Sequence, residues 1–345
     1  MIVIDNPDPK RWYRRAISFS VLWIIILLLP LGALLLPLMM IIDLVIFGGA
    51  SLLGSDKRSS LSRGFICCSR YVVNENIGIF LCFIIWVEFK LKGQHDLFIQ
   101  RNHKLQQWWC ESLMDTLVRM FQLKFDIDGD IPDCGGKILF VRHTSSADTL
   151  LPLKTITIPQ NLFTHYVLKI DLCWDPCLDI VAHRLPNALV RRGQGEPEIQ
   201  RIISLSEALN DKSCIVIFPE GTRYTYDKRK RVIESLQKKN DHKALEVSQK
   251  LKHSLLPRKG GSLGLVARNP STPIVFMAHL GFEKSQKISS LFNGELMRQS
   301  IKIRFWEEVP PERPDEYETW LYAKWMQMDL WIEQTIKAND SSRLP

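Results

Sequence analysis

Apolar positions are unevenly spread along this chain, and their spacing changes character twice. Residues 16–55 are almost continuously apolar, with Asp43 the one charged side chain among them. As helix, those forty residues would rise about 60 Å, twice the ~30 Å hydrocarbon thickness of a bilayer. Pro30, Gly32 and Pro37 fall near the middle, where a break would come. Lys10, Arg11, Arg14 and Arg15 precede the run, and Lys57, Arg58, Arg63 and Arg70 follow it. The positive-inside rule places both flanks on the cytoplasmic side. The pattern predicts an N-terminal hydrophobic membrane hairpin, with one long tilted span as the alternative. The run is far longer than the apolar core of a cleaved signal peptide.

A second apolar run, residues 77–87, is too short to span and reads as a core or interfacial helix. Leu105, Trp108, Trp109, Leu113, Leu117, Val118 and Phe121 then recur at helical spacing. They predict a helix facing the core, although paired tryptophans also suit a membrane interface. From about Phe125 short apolar runs alternate with polar helical stretches, which predicts an α/β sheet. The predicted strands are 137–141, 165–170, 188–192, 213–218, 273–279 and 301–305. The predicted helices are 196–209 and 316–336. Residues 227–259 hold eleven Lys or Arg against four Asp or Glu, and read as a charged helical insert. The expected organisation is a membrane-anchoring helical region over 1–95 and an α/β domain over 96–345. The expected fold is a mixed sheet flanked by helices.

Charge and cysteine content sharpen this reading. The net charge is +8 and the pI about 9.0, an excess that favours anionic surfaces. No nucleic-acid recognition motif accompanies it. Eight cysteines show neither a disulfide framework nor zinc-ligand spacing, so no metal is expected and the thiols read as reduced and cytosol-facing.

The candidate chemistry sits at the ends of two predicted strands. One ends in His143, and Asp148 follows five residues later. Such residues are not neighbours on one helix face. A strand, a turn through Thr144 and Ser145 and a helix from Ser146 would bring the carboxylate onto the imidazole. Asp148 would then fix the ring tautomer and leave the other nitrogen free to take a proton. The other strand ends in Phe218-Pro219-Glu220-Gly221-Thr222-Arg223. Arg223 offers a planar fork for phosphate. Ligands of open α/β sheets bind at such strand ends. Gly260-Gly261-Ser262-Leu263-Gly264 matches the nucleophile elbow of hydrolases, which needs a strand directly before it.

Taken together, His143-x4-Asp148, Arg192 at the end of a strand, Phe218–Arg223 and the strand from Pro273 resemble the glycerolipid acyltransferase family, the group that includes 1-acylglycerol-3-phosphate acyltransferases. The first and third blocks match fully. Block two, from Pro186, lacks the usual glycine and carries Leu189 for an aromatic residue. Block four carries Phe276 for a second proline. Arg142 stands where asparagine usually precedes the histidine, and Tyr224 where a small polar residue is common. These departures bear on the acyl acceptor rather than on the reaction type.

The resemblance implies transfer of a fatty acyl chain from acyl-CoA or acyl carrier protein to a lysophospholipid hydroxyl, with lysophosphatidic acid as the expected acceptor. His143 would be the general base and Asp148 its orienting carboxylate. Backbone amides after His143 would receive the oxyanion. Arg192, Arg223 and Lys259 would hold phosphate. Gly221 and Thr222 would line the acceptor site, and Glu220 would position the glycerol. No cofactor is implied beyond the acyl thioester co-substrate. Membrane lipid is the expected partner, at the cytoplasmic face of a bacterial inner membrane or, alternatively, of the endoplasmic reticulum. A CoA-independent phospholipid transacylase and an esterase are the competing readings.

Overall fold

A computed structural model describes residues 4–52, 60–191, 193–283 and 285–341. The N-terminal apolar run forms α1 (Arg11–Leu34) and α2 (Leu36–Leu52), joined at Leu35. Leu35 keeps right-handed helical dihedrals and donates to the Gly32 carbonyl. The predicted break therefore falls between Pro30 and Pro37 as a bend, because an αα reversal takes two or more loop residues. The antiparallel partner of this run is α3 (Leu61–Lys92). The Asp43 carboxylate of α2 accepts the Leu61 and Ser62 N–H groups at 2.9 and 3.0 Å, and Phe65 packs where Gly32 has no side chain. The expected hairpin within 16–55 is therefore not formed: α1 and α2 run on through a bend at Leu35, their returning partner is α3, and the single charge of the apolar run caps that helix.

The 77–87 run is the middle of α3, not a short helix of its own. Both α1 and α3 are long and apolar enough to cross a bilayer. One stripe of α3, with Val72, Gly78, Cys82 and Ile85, is buried against α4 (His95–Phe121) and α5 (Pro176–Ala182), whereas Ile77, Phe80, Phe83, Ile84 and Trp86 are exposed. The predicted amphipathic helix is α4.

Seven strands form one sheet: β1 (Lys124–Asp128), β2 (Ile138–Val141), β3 (Phe163–Lys169), β4 (Ala188–Val190), β5 (Ser213–Ile217), β6 (Ile274–Leu280) and β7 (Ser300–Glu308). Their spatial order is β1-β7-β6-β2-β5-β3-β4. Strands β2 to β6 run parallel, and β7 is antiparallel to β6. The central strands are buried on both faces, as near-continuous apolar runs require. Leu139, Val141, Val216, Val275 and Met277 pack on one face. Phe140, Ile215, Ile217, Ile274 and Phe276 pack on the other. That second face is covered by α6 (Glu196–Ile203), α8 (His242–Lys250), α9 (Lys259–Arg268) and α10 (Tyr317–Ser341).

The charged insert is two helices rather than one, α7 (Tyr226–Lys238) and α8. Asn240 in the left-handed region breaks them apart, and the Asp241 side chain caps α8. The elbow-like glycines lie inside α9. Its Gly260, Gly261 and Gly264 face Ile199, Ile202 and Ile203 of α6 so closely that a Cβ would clash. They serve close helix packing. The residues directly before α9, 251–258, form no strand, so the nucleophile-elbow reading does not hold.

Candidate active site

The β2–β5 register pairs Phe140 with Ile217 and brings the two motif-bearing strand ends side by side. Beyond β2 the chain turns through Thr144 and Ser145 into a short helical turn, Ala147–Leu150. That turn carries Asp148 back to the imidazole, with His143 Nδ1 2.9 Å from Asp148 Oδ1. Asp148 Oδ2 accepts the Thr144 and Ser145 N–H groups at 2.6 and 2.7 Å. Asp148 is fully buried, which by itself would raise its carboxyl. Hydrogen bonds and charge from His143 and His279 outweigh the burial and hold it well below the usual carboxylate range. The His143 ring is thereby anchored through Nδ1, and the residue lines a cavity of about 910 Å³.

The expected oxyanion donors are placed differently. The Thr144 and Ser145 amides are committed to Asp148, and the Ala147 amide to Ser145 Oγ. Among the described residues, Ser146 contributes the remaining amide of this turn, and Ser146 lines the cavity.

The Phe218–Arg223 loop divides into two parts. Glu220 points inward, with 2% exposure, and is absent from the cavity wall. Its carboxylate accepts the N–H groups of His143 and Leu255 at 3.0 and 2.8 Å. Complete burial pushes its carboxyl up to about 8, against those two bonds and the charge of Arg142. Glu220 therefore holds the backbone at His143 rather than touching a glycerol. Gly221, Thr222 and Arg223 do line the cavity. Arg223 Nη1 reaches Ser146 Oγ and the Gln286 carbonyl, each at 3.0 Å. Gly221 adopts φ +63° beside Arg258, whose Nε would lie 2.7 Å from any Cβ there, so this loop position favours glycine on two counts.

Arg192 lies outside the described residues. Its neighbour Arg191 lines the cavity and is held by Asp8 at 3.1 Å. Lys259 points away, with Nζ 3.3 Å from Glu318, while the preceding Arg258 lines the cavity. Lys228 of α7 also lines it and donates to Thr222 Oγ1 at 2.9 Å. Among the described residues the cations on the wall are Lys169, Arg191, Arg223, Lys228 and Arg258, of which only Arg223 was legible in the motif. An apolar part of the wall includes Trp109, Leu113, Leu150 and Leu153, and the carboxylates of Asp171, Asp175 and Glu198 line the cavity as well.

Arg142, the departure before His143, is almost fully buried. It donates to the His253 and His279 carbonyls and to Glu283 Oε1 at 2.6 Å, so it ties β2 to the segment after β6. Cys173, Asp179 and His183 place ligand atoms within 4.8 Å of one another. Arg14 and Arg15 both bond the Asp179 carboxylate, so two guanidinium groups occupy the place of a cation.

Residues 122–279 match the family model described as Acyltransferase. The match covers just under half of the chain; that stretch is an acyltransferase domain, and the protein is an acyltransferase. It is similar to the 1-acyl-sn-glycerophosphate (LPA) acyltransferase PlsC from Thermotoga maritima, at 13% identity and a TM-score of 0.41, over 76% of this chain and 97% of that one. No curated protein matches the chain.

Proposed function

We propose that this acyltransferase moves a fatty acyl chain from acyl-CoA or acyl carrier protein to the hydroxyl of a lysophospholipid, most simply lysophosphatidic acid, at the cytoplasmic surface of a membrane. The observation that carries the reading is the 2.9 Å contact of His143 Nδ1 with a fully buried Asp148, on the wall of a cavity lined by both cationic and apolar side chains.

The chemistry follows from that arrangement. Asp148 fixes the tautomer with hydrogen on Nδ1, leaving Nε2 as the base. His143 removes the proton of the acceptor hydroxyl as its oxygen attacks the thioester carbonyl. The tetrahedral oxyanion takes the Ser146 N–H, and the thiol leaves with the proton returned by His143. Arg223 and Arg258 hold the acceptor phosphate, as planar forks suit phosphate oxygens. The apolar wall receives an acyl chain.

The membrane setting rests on the exposed apolar surfaces of α1, α2 and α3. Trp23, Leu27, Leu31 and Leu34 of α1 and Phe80 and Phe83 of α3 are exposed among the described residues. Apolar surface on that scale marks a lipid or protein contact. Anchoring by these helices places the cavity where both acceptor and product reside. A phospholipid transacylase would use the same pair, and the acyl donor separates the two.

The reading is tested by acyl transfer from labelled acyl-CoA. His143→Ala should lower the rate roughly 10²–10⁴-fold, and Arg258→Ala should chiefly raise KM for the lysophospholipid. Transfer unchanged by both substitutions would refute it. Transfer from labelled phospholipid but not from acyl-CoA would establish the transacylase.

A further inference from the structure

We infer that His279 is a positioning residue for the His143–Asp148 pair: a second imidazole, from the adjoining strand, that keeps Asp148 charged and aimed at His143. The inference rests on the acyl-transfer reading for its kinetic consequences, but not for its geometry.

Strand β6 lies beside β2, and alternation puts His279 on the sheet face of Val275 and Met277. Those two are core residues, whereas the third position of the row is a histidine with no exposed surface. Its Nε2 is 2.9 Å from the Arg142 carbonyl oxygen and 3.4 Å from Asp148 Oδ2. Both neighbours are acceptors, so the tautomer that fits carries hydrogen on Nε2, bonded to the Arg142 carbonyl with Asp148 Oδ2 next nearest. Among the described residues Nδ1 is buried without a partner. An unpartnered ring nitrogen in a dry core is unfavourable. A row otherwise filled by valine and methionine has no packing need for it.

The setting explains what the ring supplies. A carboxylate with no solvent contact reverts to its neutral form unless donors hold the charge. Two donors to Asp148 Oδ2 are the backbone amides of Thr144 and Ser145, which any residues there would provide. The Thr144 hydroxyl adds a longer contact of 3.3 Å. His143 binds the other oxygen and must be free to exchange its proton on Nε2. His279 is the further side-chain donor that takes no part in that exchange. The charged groups around it are Arg142, which bonds the His279 carbonyl at 2.5 Å, Glu283, which pairs with Arg142, and Asp148 itself. Glu220 faces Asp148 from the β5 side and opposes its charge. From β7 the partner of His279 is the apolar Ile303.

The test compares His279→Leu, His279→Met and His279→Gln in the full chain in detergent. Glutamine can place an N–H donor near the Nε2 position, and leucine and methionine cannot. The apolar variants should lower kcat roughly 10–100-fold, as loss of a group orienting a catalytic ligand does, with KM for the lysophospholipid unchanged. A donor lost from Asp148 raises its pKa, so the acid limb of the kcat/KM profile should move to higher pH. Glutamine should restore most of both. Carboxyl ¹³C NMR of Asp148 reads the same shift with no substrate present. If wild type transfers no acyl group, the functional reading fails and the NMR titration still decides the role of His279. The inference is overturned if the apolar variants lose only thermal stability, with kcat, pH profile and Asp148 titration as in wild type. Methionine, a flexible apolar side chain, carries the test if leucine does not pack.

Discussion

Phe140 in β2 has no exposed surface, whereas Phe80 in α3 leaves 61% of its surface exposed. The same side chain sits in two environments, and the contrast extends to both regions. In the sheet, successive apolar rows meet a helical layer on each face. In α1, α2 and the outer stripe of α3, large apolar side chains such as Leu27, Leu34, Leu44 and Phe80 are exposed among the described residues. The first region obtains its stability from its own core. The second presents the apolar surface on which the proposed membrane contact rests. Asp43 shows the same division, because its carboxylate is spent on the N-terminal amides of α3, so even the charge of the apolar run is turned inward.

The largest expected effect separates the two phenylalanines. Phe140→Ala should cost ~3–5 kcal/mol in denaturant unfolding, while Phe80→Ala should stay within ~0.5 kcal/mol. Equal losses would remove the distinction. Next, Phe80→Ser combined with Ile84→Ser should weaken binding to lipid vesicles by roughly 1.5–3 kcal/mol per side chain, read by co-sedimentation, with unfolding in detergent unchanged. Vesicle binding equal to wild type would place the outer stripe of α3 away from lipid. A smaller effect is expected at the link between the regions. Asp43→Ala removes a cap that α3 receives from α2 and should cost about 1 kcal/mol, measured as a lower thermal midpoint.

A further effect is a change of slope with pH. The Glu220 carboxyl is raised from 4.5 to about 8 by burial. The folded state therefore binds more protons than the unfolded state between those values, and stability falls as pH rises through that window. Glu220→Gln should flatten that dependence in unfolding measured from pH 5 to 8, at the cost of one of the two backbone bonds. A slope identical to wild type would show that Glu220 titrates normally.

The pattern of apolar runs foretold much of this arrangement, and its failures have physical causes. The strands at 137–141, 213–218 and 273–279 were legible because buried parallel strands are apolar throughout. Strand β1 was not, because Lys124-Phe125-Asp126-Ile127-Asp128 is an edge strand with polar side chains outward, paired to β7 far along the chain. The run at 77–87 looked short because Asn74 and Glu75 end it. Those polar groups are satisfied inside the fold by Ser112, by the Trp109 N–H and by the Cys177 amide, so the helix continues past them.

His143 and Asp148 were legible because a short turn joins them. His279, Arg258 and Arg191 were not, since the β2–β6 register, the approach of Arg258 over Gly221 and the Asp8 contact are made between distant segments. The expected role of Glu220 changed for the same reason. A motif shows which residues share a loop, but not which of them turns inward.

The most direct test of the account is acyl transfer from labelled acyl-CoA to a panel of lysophospholipids, with wild type beside His143→Ala. The account predicts labelled diacyl phospholipid from wild type, lysophosphatidic acid as the preferred acceptor, and a loss of roughly 10²–10⁴-fold in the variant. Transfer that survives the loss of His143, or no transfer to any lysophospholipid, would contradict it.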